Sequence, residues 1–408
     1  MNRWSMWLLI AGGWAGVTFA EEPAATPSVE DRLLRVEQDL REVRDSRLKL
    51  QSEIGLDGKN NASFVRASGK EVSLKLGGLL QIQADGGDKG DRRFSSDNER
   101  FYLRRARLNA TAFFQEDFEA KVETEFAGSL SEANAMRAQL TDGYLLWKAH
   151  PEFQVQAGQF KTPFGYEQLA SDPRLYTIER SLGNDRLTLN RQIGGQLAGD
   201  LLEQRLRFAG GLFNGTSVNS SSNDNSKFTL VGRLSAIPLA PAKNTSGPRL
   251  ALGINGYLSD DDQASGQPGE FKFNTSTNKT ADNTFAGERS GWGVDAQFSV
   301  SRFELWAEFL GARYEPDNEV PADHLDSEAW YTQASWYFLP NRLQGVVKYD
   351  TFDPNTKAAK DGTDTWTVGL NVYLRDHDLK LQFNYLSSEL ESTDTTEEKY
   401  LARLQAIF

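Results

Sequence analysis

Lys75, Arg105, Arg107, Lys121, Arg207 and Arg233 sit at alternate positions of short segments that read apolar, polar, apolar, so their cations fall on one side of each segment. Lys161, Arg174, Arg180 and Arg186 share one long stretch, from Lys161 to about Leu189, between two such segments. A guanidinium grips a phosphate or carboxylate through two parallel hydrogen bonds, and an ammonium adds a compact point charge. The chemistry open to these residues is the binding of small anions. Carboxylates share the same side, at Glu119, Glu123, Glu125, Asp295, Glu304, Glu308 and Asp350, and the long stretch itself holds Glu167, Asp172, Glu179 and Asp185. The net charge is −12, which argues against a nucleic-acid partner.

Covalent and metal chemistry find little support. There is no cysteine, so thiolate nucleophiles, thiolate metal sites and disulfides are absent. The three histidines, His150, His324 and His377, fall in two short turns and one long loop, none beside a nucleophile motif. No glycine-rich loop leads into a helix to cradle a nucleotide. The reading is of a non-enzyme without cofactor or metal.

The elements that carry the basic residues are strands. Val72, Leu74, Leu76, Leu80 and Ile82 alternate with Ser73, Lys75, Gln81 and Gln83, and the same period of two recurs to give sixteen segments between residue 72 and Phe408. The segment 138–148 is ambiguous in register because of Asp142. Connectors alternate between short, such as Gln115–Asp117 and Asp376–Asp378, and long, such as 84–98, 161–189 and 259–290. Even strand number, short turns at one end and long loops at the other predict an all-β transmembrane barrel of about sixteen antiparallel strands. Tyr102, Trp292, Trp330, Trp366 and Tyr400 each begin an even-numbered strand on the apolar face, and predict an aromatic belt at the outer lipid interface. Trp336 and Phe338 are expected near the other interface.

Two segments precede the strands. Residues 1–20 read as a signal peptide, with Arg3, an apolar stretch from Trp7 to Val17, and small residues at Thr18 and Ala20. Residues 21–70 read as a periplasmic α-helical coiled coil and linker, leaving 71–408 as the barrel. Val29, Leu33, Val36, Leu40, Val43, Leu50 and Ile54 form a heptad seam with Arg47 in its one polar slot, and so short a helix calls for partner chains. A trimer is the preferred reading, and a two-stranded coil is the alternative. Gly55 to Gly69 reads as a polar linker.

The run Leu103-Arg104-Arg105-Ala106-Arg107-Leu108, the run Gly158-Gln159-Phe160-Lys161-Thr162-Pro163-Phe164-Gly165, the segment Gly232-Arg233-Leu234 and the terminal Phe408 resemble the phosphate-selective porin O and P family. The resemblance implies a sixteen-stranded homotrimeric channel in the outer membrane of a Gram-negative bacterium, with a basic pore for inorganic phosphate or polyphosphate. Strand phase and the long stretch make Lys75, Arg105, Arg107, Lys121, Lys161, Arg174, Arg180 and Arg233 candidate pore residues, with Arg105, Arg107, Lys121 and Arg233 expected to form a basic patch near that stretch. Rings of Arg and Lys select anions by replacing part of their hydration shell. The bland alternative is that many of them are hydrated wall residues. Pro163 and Gly165 would turn the long stretch inward as a constriction, whereas the alternative is an external surface loop. The many inward acids depart from a strongly basic lumen. Asp260-Asp261-Asp262 and Glu397-Glu398 are assigned to outer loops, either binding divalent cations among lipopolysaccharide or keeping the loops soluble. The competing function is a non-conducting outer-membrane structural or receptor protein tethered by its coiled coil.

Overall fold

The computed structural model describes residues 66–68, 72–91, 93–94, 99–115, 117–127, 138–216, 218–241, 247–264, 285–317 and 324–408. The expected leader and heptad seam lie outside the described residues. Seventeen strands follow in order: β1 (Arg66–Ser68), β2 (Val72–Gly87), β3 (Arg100–Phe114), β4 (Phe118–Glu125), β5 (Gln139–His150), β6 (Phe153–Lys161), β7 (Arg191–Leu201), β8 (Leu206–Phe213), β9 (Thr229–Leu239), β10 (Arg249–Ala264), β11 (Phe285–Val300), β12 (Phe303–Pro316), β13 (Leu325–Leu339), β14 (Leu343–Asp353), β15 (Thr363–Arg375), β16 (Leu379–Leu390) and β17 (Thr395–Ile407). From β2 to β17 each strand pairs antiparallel with its neighbour in sequence, and β17 pairs with β2, with Leu404 opposite Ile82 and Gln405 opposite Gln81. The result is a closed sixteen-stranded barrel with no open edge. The closure reaches the last residue, because Gly78 N–H donates to Phe408 O at 2.7 Å and Phe408 N–H donates back to Gly78 O at 3.1 Å. Strand β1 adds three residues beside the start of β2. Part of the stretch read as linker is therefore paired backbone.

The alternation sets the two faces. Trp292, Trp330, Trp366 and Tyr400 point outward, as do Trp336 and Phe338, whereas Gln81, Gln83, Lys348, Lys380, Arg403 and Gln405 are buried inside. Apolar outside and polar inside suits lipid around the wall and water within it.

Tyr102 breaks the expected belt. A β-bulge falls between the pairs Gln81/Arg105 and Ile82/Leu103, so Arg104 is the extra residue and the phase of β3 flips beyond it. Tyr102 consequently faces inward, accepting a hydrogen bond from Gln83 Nε2 at 2.7 Å, and Phe101 takes the outward place with 86% exposure. A second irregularity, between the pairs Glu123/Asp142 and Thr124/Leu140, resolves the ambiguous register of β5 and turns Asp142 inward.

The connectors keep their rhythm with two departures. The β9–β10 link spans 240–248 at the end where the other links are tight, and the β16–β17 link at the opposite end is only 391–394. By the usual rule the tight end is periplasmic. The acidic triplet also divides, since Asp261 is buried against Arg289 at 2.9 Å while Asp260 pairs with Lys227 near the rim.

The stretch between β6 and β7 folds into the barrel as an inner loop with α1 (Tyr166–Leu169), a 3-10 turn (Asp172–Arg174) and α2 (Leu182–Leu187). Its direction is set locally. Gly165 adopts φ +78, and a Cβ there would lie 2.9 Å from Thr188 Cγ2, so Pro163-Phe164-Gly165 makes a turn closed to most residues. Gly183 lies flat on β13, where a Cβ would meet Ala329 Cβ at 2.1 Å. Phe164, Leu182 and Leu187 then join a buried apolar cluster with Phe213, Val231, Tyr257, Leu310 and Phe352 of the inner wall. Each fully buried side chain of this size contributes about 1.5–3 kcal/mol, enough to hold a loop that water would otherwise solvate.

Candidate functional site: the lumen and its inner loop

The inner loop is tied to the wall of β12–β17 by groups that point inward on every second residue. The Glu308 carboxylate accepts the backbone N–H groups of Tyr166 and Glu167, at 2.5 and 3.1 Å. Lys348 Nζ reaches Glu167 at 2.5 Å, and the same Glu167 carboxylate accepts from Ser181 N–H and Oγ–H. Asp350 accepts Leu182 N–H at 2.9 Å, and Asn384 accepts Ile178 N–H at 2.6 Å. Lys380 donates to Leu175 O and Arg403 to Ile178 O. Several of the inward acids that weakened the expectation of a basic lumen are thus committed to holding this loop.

On its other side the loop meets β3. Asp172 lies 2.5 Å from Arg107, 2.6 Å from Arg180 and 3.3 Å from Arg105. Glu179 lies 2.8 Å from Arg104 and 2.6 Å from Arg403, bridging β3 to β17. Burial opposes ionisation of Asp172, but the Arg105, Arg180 and Arg107 guanidiniums outweigh it and hold the carboxyl well below the usual range. Burial likewise opposes ionisation of Glu179, where Arg104 and Arg403 prevail and keep it low. Both carboxylates are charged at neutral pH.

Arg93 and Phe94, between β2 and β3, also reach the inner loop. Arg93 forks onto Asp91 and donates to the Arg180 carbonyl, while Phe94 packs with Ile178, Leu386 and Leu401.

Among the described residues these contacts line two cavities inside the barrel. The outer one, about 280 Å³, is lined by seven cationic side chains against four carboxylates, including Arg104, Arg105, Arg107, Arg180 and Arg191. The other, about 940 Å³, opens toward the periplasmic end between Lys161, Arg174, Arg207, Arg233 and Arg249. Lys161 is the one residue that lines both. Its ammonium donates to the carbonyls of Gln168 at 2.6 Å and Ala170 at 3.0 Å, and among the described residues it forms no ion pair. His377, in the β15–β16 turn, lies with Nδ1 3.2 Å from Pro173 O of the inner loop, and burial together with the Lys380 ammonium pushes its pKa down to about 4. A larger concavity of about 1190 Å³ lies on the outward apolar face among Phe101, Trp336, Phe383 and Tyr400, and has no part in the lumen.

The expected basic patch of Arg105, Arg107, Lys121 and Arg233 divides in space. Arg105 and Arg107 line the outer cavity, and Arg233 lines the periplasmic one, paired with Asp295 at 2.7 Å. Lys121 is taken up by Asp142 at 2.7 Å and Glu123 at 3.3 Å and lines neither. Lys75 stands on β2 opposite Thr111, itself opposite Lys121, and lines neither cavity. Lys161, Arg174 and Arg180 all meet the path. Arg104, Arg191 and Arg249 escaped the sequence reading. Strand phase alone could have found Arg249, which is two residues before Ala251 on the inward face of β10, whereas Arg104 needed the bulge.

A closed sixteen-stranded barrel, apolar outside and narrowed by a loop folded into its lumen, defines a porin-type outer-membrane channel. The family model described as phosphate-selective porin O and P matches residues 74–408, and the chain belongs to that family. A protein of Aquifex aeolicus (strain VF5), described only as "Uncharacterized protein", is 25% identical over 393 residues, covering 87% of this chain and 92% of its own. The fold is shared with the anion-selective porin from Comamonas acidovorans (TM-score 0.58, 12% identity, 83% of this chain and 100% of that one). It is also shared with the outer membrane channel DcaP of Acinetobacter baumannii (0.56, 14%, 84% and 99%) and the trimer form of OmpT from Vibrio cholerae (0.56, 10%, 83% and 100%).

Proposed function

We propose that this channel passes small solutes passively, prefers anions, inorganic phosphate among them, and makes that choice where its two cavities meet at Lys161. The observation that carries the reading is the ammonium of Lys161: it lines both cavities and is held by carbonyls, and among the described residues it forms no ion pair. An ion crossing from one cavity to the other passes a cationic group that is not closed off in an ion pair, which lowers the barrier for anions and raises it for cations. The excess of cations around the outer cavity supports the same sign, and the family and the anion-selective porin of similar fold agree with it. The same reading includes export through the periplasm, suggested by the leader-like 1–20, and a homotrimer, suggested by the heptad seam. It places the aromatic belt among outer-membrane lipid and lipopolysaccharide.

The test is reconstitution in planar bilayers under a KCl gradient, with and without added phosphate. The reversal potential should take the sign of an anion-preferring pore, and Lys161→Gln should reduce the chloride-to-potassium permeability ratio about twofold or more. A wild-type reversal potential at zero or of cation-preferring sign sinks the anion reading. No conductance at all returns the non-conducting, coiled-coil-tethered alternative.

A further inference from the structure

The lumen cations differ in whether a carboxylate already neutralises them. Arg105, Arg107 and Arg180 share Asp172, Arg104 and Arg403 share Glu179, Arg207 pairs with Asp200 and Arg233 with Asp295. Among the described residues Arg174 and Arg249 form no ion pair, and with Lys161 they line the periplasmic cavity. Across the lining of that cavity runs an unbroken series of aromatic rings. Tyr166 meets Trp306 edge-on at 5.5 Å, Trp306 meets Tyr176 at 4.8 Å, and Tyr176 stacks on His377 at 6.3 Å. Trp306 faces inward because it shares the phase of Glu304 and Glu308, both of which touch the inner loop. Backbone register places it close to Arg249: Trp306 is opposite Gln297, and Gln297 is opposite Ala251, two residues along the same face of β10 from Arg249.

Tyr166 and Tyr176 belong to the inner loop and Trp306 and His377 to the wall, and all four rings line the cavity. Aromatic surface in water is favourable to cover with another planar apolar group, and a free guanidinium beside it takes a carboxylate in two parallel hydrogen bonds. The cavity, about 940 Å³, exceeds what a single ring compound fills. We propose that the periplasmic cavity is a binding site for aromatic carboxylates, with the ring against Trp306 and Tyr166 and the carboxylate on Arg249 or Arg174. The proposal rests on the channel reading for its route of entry, and it adds a substrate class to it.

The probes are benzoate and cyclohexanecarboxylate, equal in charge and similar in size, added to the periplasmic side of single channels carrying chloride current. Benzoate should reduce the current at about a tenfold lower concentration than cyclohexanecarboxylate. Trp306→Leu should erase that difference, and Arg249→Gln should weaken both compounds. Because Trp306 packs against the inner loop, the folded state of each variant is checked by heat-modifiable migration on gels, with Tyr166→Leu as the second ring variant. Equal potency of the two probes with chloride current intact overturns the aromatic site and leaves the channel standing. If no current is seen, calorimetric titration of the detergent-solubilised protein decides the site by itself. Benzoate binding that is weakened in Arg249→Gln supports it, and no binding overturns it.

Discussion

Arg104 and Arg105 are adjacent in the chain, yet both guanidiniums enter the lumen, Arg104 Nε lying 2.8 Å from Glu179 Oε1 and Arg105 Nη2 3.3 Å from Asp172 Oδ1. Adjacent residues of a regular strand point to opposite faces, so one of the two should meet lipid. The bulge at Arg104 removes that cost and places two cations, rather than one, against the inner loop. Both acids they meet belong to that loop, so the bulge and the loop's position depend on each other.

The same bulge predicts which residue meets lipid. A nitroxide attached at Phe101→Cys should relax readily with oxygen, which partitions into lipid, and one at Tyr102→Cys should not. The chain has no native cysteine, so each label is single. A label at 102 that prefers oxygen over a water-soluble nickel relaxant would return Tyr102 to the lipid belt and remove the bulge.

Lys348 and Glu167 lock the inner loop to β14 across 181 residues of sequence, and both are buried. Removing one partner of a buried pair costs about 3–5 kcal/mol, because the other charge is left without compensation. Lys348→Met should therefore release the loop, seen as a larger and noisier single-channel conductance with anion preference reduced. Lys348→Met with Glu167→Gln should recover most of the quiet state. If the single variant conducts like the wild type, the pair is not what holds the constriction.

The loop carboxylates give the site a definite pH response. Asp172, Glu179 and Glu167 all have folded-state pKa values below ordinary ones: burial resists ionisation, and the Arg and Lys partners overcome it. For a depressed carboxylate, the stabilisation is complete above the unfolded value near 4 and is lost only as pH falls through the folded value, which is lower. The hold that these three carboxylates give the inner loop should persist down to about pH 4 and be lost in stronger acid. Asp172→Asn carries the neutral form to pH 7 and should raise anion preference there, since Arg105, Arg107 and Arg180 lose their shared counter-charge. An Asp172→Asn variant whose reversal potential at pH 7 equals that of the wild type would contradict this pairing.

What the sequence by itself determined is the wall. The period of two is a local property, and lipid outside with water inside rewards it at every residue, so strands such as β14 and β16 and outward rings such as Trp292 and Trp366 were legible from phase alone. The inward turn of the loop at Pro163 and Gly165 was legible for the same reason, being a matter of local backbone geometry. Tertiary structure alone decided which charges remain free. Arg105 and Arg249 look equivalent in the chain, both inward and both basic. Only the folded loop pairs one with Asp172, while the other forms no ion pair among the described residues and lines the periplasmic cavity. Charge compensation depends on groups within about 4 Å of one another. Those groups come from positions as distant as Glu179 and Arg403, 224 residues apart, a separation that no local pattern encodes.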